Sequence, residues 1–381
     1  MKKTQEILSE LVAIPSISSA DTAWDLSNRP IIDHLATRLE DLGFTIEIQA
    51  IENNKANLIA SIGRGSGGLV LAGHTDTVPY DADLWQSDPF VLQDSDDRLL
   101  GLGSTDMKGF FAVSLEALER LGKTALANLD KPLTVVATAD EESSMSGARA
   151  LSDADPLNAR FAVIGEPTGM QPVRMHKGIM MESISLHGQS GHSSNPALGH
   201  SALDAMHQVI SELMALRQSW ATQFQNPSFE VSVPTMNLAS IHGGDSPNRI
   251  CQHCKLGFDV RLLPGMSNED IRQQIQQTVS DTLSGSGVSA KFSTLFTGVE
   301  PFLEAEDSEL VKTVEKLTGH QAVSAGYATE APFMQALGMQ TVVMGPGSID
   351  CAHQANEFFP KNQIEPAISL IMQLVNHYCM A

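Results

Sequence analysis

Residues 69–79 read Leu69-Val70-Leu71-Ala72-Gly73-His74-Thr75-Asp76-Thr77-Val78-Pro79. A short unbroken apolar run that ends abruptly in a histidine and an aspartate suits a strand buried on both faces, with polar groups at its exit. The same pattern recurs along the chain. Residues 133–138 lead into Asp140-Glu141-Glu142, and residues 161–164 into Gly165-Glu166-Pro167-Thr168. Residues 341–344 lead into Gly345-Pro346-Gly347-Ser348, with His353 beyond. Helical patterns alternate with these runs: 5–13 before Pro15, 28–42 before Gly43, and 108–121 just after Asp106. Strands of this kind alternating with helices predict an α/β fold with a mostly parallel sheet.

The middle of the chain follows another pattern. A strand is expected at 179–187, a helix at about 199–219, strands near 232–241 and 251–261, a helix at 267–283 capped by Ser267, and a strand at 288–295. The order β-α-β-β-α-β is that of a ferredoxin-like unit. The expectation is therefore a discontinuous catalytic domain, 1–177 with 293–381, and an inserted domain at 178–292. Gly63–Gly68 reads as a turn between strands.

Open α/β sheets bind ligands beyond the carboxyl ends of their strands. His74, Asp106, the Glu141-Glu142 pair, Glu166 and His353 all fall at such ends or in the loops that follow. Imidazoles and carboxylates without a thiolate suit two Zn²⁺ ions or a similar divalent pair, and a shared aspartate can bridge them. Asp76, two residues after His74, can orient its ring if the segment is extended. Glu141 and Glu142 diverge in an extended stretch, so that one can bind metal while the other faces substrate. Taken singly, a His-x-Asp is usually a surface pair and a Glu-Glu pair a solvated surface; it is their convergence on strand ends that argues for a site.

Other motifs carry less. Cys251-Gln252-His253-Cys254 lacks a second Cys/His pair at zinc-knuckle spacing, and Gly101-Leu102-Gly103 lacks the third glycine of a dinucleotide fingerprint. No Gly-x-Ser-x-Gly is present. With 45 acidic against 24 basic residues, the net charge of −21 speaks against nucleic-acid or anionic-membrane partners. Four cysteines, sixteen methionines, no signal-like N-terminus and no membrane-length apolar run point to a cytoplasmic protein.

At Gly73–Pro79, Asp106-Met107-Lys108-Gly109, Asp140-Glu141-Glu142 and Gly165–Thr168 the chain resembles the co-catalytic zinc aminoacylase and carboxypeptidase family over essentially its whole length. The resemblance implies one metal, zinc or cobalt, on His74 and Glu166, a second on Glu142 and His353, and Asp106 between them. It implies Asp76 as the residue orienting His74, and Glu141 as general base. It further implies His192 as an oxyanion donor reaching a partner's site, Asn248 and Arg261 as holders of the substrate carboxylate, and a homodimer formed through the inserted domain. Arg261 has the bidentate fork for that role, but it suits a surface or interface ion pair equally well. The resemblance extends to the longer stretches Ala139–Arg149, Pro172–Gly178, Ser246–Cys251 and Ala328–Phe333, and implies an N²-acyl amino acid substrate, foremost N²-acetyl-L-ornithine. Tyr327-Ala328-Thr329-Glu330 departs from the Gly-Thr-Ser-Asp of the desuccinylases and weakens that reading. The alternatives are a desuccinylase, a general aminoacylase, a dipeptidase, or a silent metal- or amino-acid-binding module.

Overall fold

The computed structural model describes residues 2–151 and 157–380. The chain forms two compact units. One comprises Met1–Arg174, Glu304–Val323 and Thr329–Ala381; the other comprises Met175–Leu303 with Ser324–Ala328.

In the first unit, four strands lie parallel in the order Leu133–Thr138, Gly68–His74, Ala159–Pro167, Gln340–Gly345. Lys55–Ile62 and then Thr45–Ile51 extend the sheet antiparallel beside Leu133–Thr138. Every residue of Gly68–His74 and Leu133–Thr138 is buried, as their unbroken apolar runs predict. Gly63–Gly68 leads, as expected, from one strand, Lys55–Ile62, into another, Gly68–His74, and Leu133–Thr138 lies between the two in the sheet. Helices Lys2–Val12, Arg29–Asp41, Gly109–Leu121 and Ile364–Cys379 bury their apolar faces in one core with the sheet. Gly43, at φ +97°, ends Arg29–Asp41 in a left-handed conformation that costs a glycine little.

The second unit has a four-stranded antiparallel sheet in the order Thr235–Gly243, His253–Leu262, Gly178–His187, Ser289–Val299. Numbered along the chain this is 2-3-1-4, the ferredoxin-like order. Helices Ala202–Gln223 and Asn268–Leu283 bury Met206, Val209, Ile271 and Ile275 with Met180, Ile184, Leu256 and Phe258 of the sheet. Ser267 caps the second helix, its Oγ accepting from the Asp270 N–H at 3.1 Å. The last strand runs beyond its predicted end at 295 to Val299, which pairs with Ile179. Phe302-Leu303 then pairs with Met175-His176, so this unit takes in more residues at each end than the apolar pattern marks. No helix among the described residues is long and apolar enough to cross a membrane.

Candidate active site

His74 closes its strand opposite Thr138, and Glu166 stands near the end of the next parallel strand. Asp106 lies in the bend Ser104–Lys108 that opens helix Gly109–Leu121, and His353 in the loop after Gln340–Gly345. The parallel register thus delivers these loops to one edge of the sheet.

His74 Nε2 is 3.1 Å from Asp106 Oδ1 and 3.9 Å from Glu166 Oε1. His353 Nε2 is 2.9 Å from Glu142 Oε1 and 3.4 Å from Asp106 Oδ2. The two oxygens of Asp106 therefore face different imidazoles. His74, Asp106 and Glu142 each offer a ligand atom, all within 4.8 Å of one another. Glu166 Oε1 is buried and has no hydrogen-bond partner among the described residues, His74 Nε2 standing beyond hydrogen-bonding reach.

The electrostatics fit a cation. Burial and the charge of Asp106 push the Glu166 and Glu142 carboxyls up, and burial pushes Glu141 well up, with Glu166 and Glu142 adding to it. Burial works against a charged His74, but hydrogen bonds to Asp106 and Asp76 outweigh it and raise the ring well above its usual value. Hydrogen bonds to Asp106 and Glu142 raise His353 to about 10. Burial opposes the ionised Asp106, yet His353 and His74 hold it well below the usual carboxylate range. Crowded anions that retain protons are the arrangement divalent cations replace.

Glu141 and Glu142 do not lie in an extended stretch. Asp140 takes a left-handed φ of +58° and turns the chain, and the N–H groups of Glu141 and Glu142 both point at the Asp76 carboxylate, at 3.2 and 3.0 Å. His74 Nδ1 is 3.0 Å from the Asp76 carbonyl and 3.5 Å from its carboxylate. Asp76 thus ties the His74 strand to the Glu141-Glu142 turn.

Several supporting groups escape a reading of residue types. Lys55 is buried and places Nζ 2.7 Å from both Asp140 Oδ1 and Asp25 Oδ1, while Ser18 and Ser146 donate to Asp140. Glu357 is buried and accepts the N–H groups of Gly103, just before the Asp106 bend, and of Thr105 and Asp106 within it; burial and Asp106 push its carboxyl up to about 8. Lys108 donates to the Ile14 carbonyl, and burial lowers it to about 7. Burial raises Glu330 to about 7. The only local signal for Glu357 is its place four residues after His353.

The remaining candidates belong to the second unit. His192 is exposed, and its Nδ1 accepts from the Ser194 N–H at 3.2 Å. The Asn248 carbonyl accepts from the Ser193 N–H, while Asn248 Oδ1 accepts from Ser246 Oγ at 2.6 Å, so His192 and Asn248 share one loop region. Arg261 pairs with Asp259, Nε to Oδ2 at 3.1 Å, on the same strand. Of the Cys251–Cys254 stretch, Cys254 packs in the core as a small apolar side chain.

The chain matches peptidase family M20/M25/M40 over residues 70–377, and it belongs to that family. Two relatives share nearly its full length, each aligned over 376 residues that cover 98% of this chain and 97% of theirs. They are the acetylornithine deacetylase of Klebsiella pneumoniae, 46% identical, and that of Pectobacterium carotovorum, 45% identical. Among solved structures, an M20 family metallo-carboxypeptidase from Sulfolobus solfataricus shares the fold at a TM-score of 0.78 and 18% identity, covering 99% of each chain.

Proposed function

We propose that this protein hydrolyses the amide of N²-acetyl-L-ornithine, giving L-ornithine and acetate, a step of arginine biosynthesis. The observation that carries this reading is the full-length identity of about 45% to acetylornithine deacetylases, in a chain whose strand ends gather His74, Asp106 and Glu142. His74 and Glu166 would hold one divalent cation and Glu142 and His353 the other, with Asp106 shared between them. Nitrogen and oxygen donors of this kind suit Zn²⁺, and Co²⁺ is a natural substitute. Bound there, such ions supply Lewis-acid activation of water and of the acyl carbonyl.

The protein's own groups do the rest. Glu141 takes the proton of the attacking water and delivers it to the leaving amine. Its raised pKa suits a group that must both accept and return a proton. Asp76 holds the backbone from which Glu141 projects. Nδ1 of His192 faces the Ser194 N–H and Oγ, which leaves Nε2 as the ring nitrogen that would serve as oxyanion donor. Asn248 and Arg261 would bind the substrate carboxylate, Arg261 by leaving Asp259. A net charge of −21 accommodates the cationic ornithine side chain. The inserted unit leaves Leu198, Leu203 and Ile241 exposed, apolar surface that suits contact with a second copy in a homodimer. Free thiols at all four cysteines suit the cytoplasm.

The test is ornithine release by purified protein after chelation and after Zn²⁺ or Co²⁺ is returned at known stoichiometry. Activity should vanish and then return at one to two metals per chain. Glu141→Ala should lower kcat by roughly 10²–10⁴-fold while keeping its metal. Metal uptake without ornithine release would move the substrate to another acyl amino acid or a dipeptide, which side-by-side kcat/KM values on acetylmethionine and succinyl-diaminopimelate would separate.

A further inference from the structure

We propose that Glu357 is a positioning residue of the metal centre: its carboxylate clasps the backbone of the Asp106 bend and locks that bend to the loop carrying His353. The inference rests on the metal-hydrolase reading above and assigns a role to a residue that reading does not use.

Glu357 is 2% exposed. Its Oε1 accepts from the N–H groups of Thr105 and Asp106, at 2.8 and 3.0 Å, and its Oε2 from that of Gly103 at 2.8 Å. Three N–H groups converging on one anion form a nest of the type backbone bends make for anions. Here the acceptor is a side chain of the protein, and one donor is the N–H of the aspartate that faces both imidazoles. The Glu357 carbonyl accepts from the Gly101 N–H at 3.0 Å, and Phe358 and Phe359 pair with Leu100 and Leu99. The segment just after His353 is therefore stitched, residue by residue, to the segment that leads into Asp106.

The bend has little room to settle elsewhere. Gly103 sits at φ +73°, and a Cβ there would lie 2.5 Å from Thr77 Cγ2. A Cβ on Gly109 would lie 2.4 Å from the Phe359 ring. Glu304 offers the contrast: it is also buried, 6% exposed, and its carboxyl accepts two backbone N–H groups, from Ala305 and Thr341, neither of them a proposed ligand.

The experiment compares Glu357→Gln and Glu304→Gln with the wild type. It measures metal affinity against a chromophoric chelator, the visible spectrum of the Co²⁺-loaded protein, and Tm in excess chelator. Glu357→Gln should weaken metal binding about 10- to 100-fold and change the Co²⁺ spectrum. Glu304→Gln should lower Tm and leave both metal readouts unchanged. If Glu357→Gln does not fold, Gly103→Ala displaces the same bend from its other side and must alter the spectrum. Wild-type affinity and spectrum in Glu357→Gln, whatever its Tm, would overturn the proposal. A wild-type protein that takes up no metal would instead overturn the hydrolase reading, and this inference with it.

Discussion

Lys55 and Asp140 stand directly behind the Glu141-Glu142 turn. Lys55 is buried between two carboxylates, and although burial opposes its charge, hydrogen bonds to Asp140 and Asp25 hold its pKa above the usual lysine value. A raised lysine pKa contributes stability that is complete below the unfolded value and is lost as pH rises through the folded one. This contribution should therefore persist at neutral pH and fade only in strong alkali. Lys55→Ala leaves Asp140 uncompensated, and urea unfolding should show a loss of about 3–5 kcal/mol. The same residue-scale reasoning applies to the ligands. In the metal-free protein hydrogen bonds to Asp106 and Glu142 raise His353 to about 10, so that it carries a proton at pH 7, and hydrogen bonds to Asp106 and Asp76 push His74 in the same direction. A cation accepts only the neutral ring, so binding must release protons and apparent affinity must rise with pH. Calorimetry at pH 7 in buffers of different ionisation enthalpy should find at least about one proton released per chain. Finding none would mean that the imidazoles are already neutral.

At the scale of elements, close approaches place the ligands. Strand Ala159–Pro167 passes the helix Gly109–Leu121 so closely that a Cβ on Gly165 would lie 2.0 Å from Phe110 Cγ. Glu166 is the next residue along that strand. Gly165→Ala should cost about 1–3 kcal/mol by overpacking, and metal affinity should fall with it as Glu166 is displaced. A variant that loses stability but keeps full metal affinity would show that Glu166 is positioned by something else. The cap of helix Asn268–Leu283 tests the opposite case. Ser267→Ala should cost about 1 kcal/mol, seen as faster amide exchange in the first turn, and should leave metal uptake untouched.

At the scale of the whole molecule, the proposed oxyanion donor and the proposed metal ligands belong to different compact units. His192→Ala should lower kcat by roughly 10²–10³-fold without weakening metal binding. If His192 acts across a homodimer, mixing His192→Ala with Glu141→Ala subunits should restore up to about a quarter of wild-type activity, because half the dimers are hybrids with one intact site. Mixing that restores nothing would place His192 in the site of its own chain.

The sequence by itself determined the parallel strands, the ferredoxin-like insertion and the candidate ligands. Buried strands demand unbroken apolar runs, helices a 3.6-residue stripe, and Ser267 a capped turn; each of these signals is local. His74, Asp106, Glu142, Glu166 and His353 could be read because each stands where an apolar run stops or in the loop that follows. Only the tertiary structure decided what surrounds them. Glu357 meets the N–H of Asp106 across 251 positions, and Lys55 meets Asp140 across 85. No periodicity records such pairings, because they exist only once distant segments have packed. The left-handed φ of Asp140, which turns Glu141 and Glu142 toward Asp76 where an extended chain would have splayed them, likewise follows from contacts at Lys55, Ser18 and Ser146. Strand ends are written in local hydrophobicity; the charge and orientation of each group at those ends depend on which buried partners the fold brings within hydrogen-bonding distance.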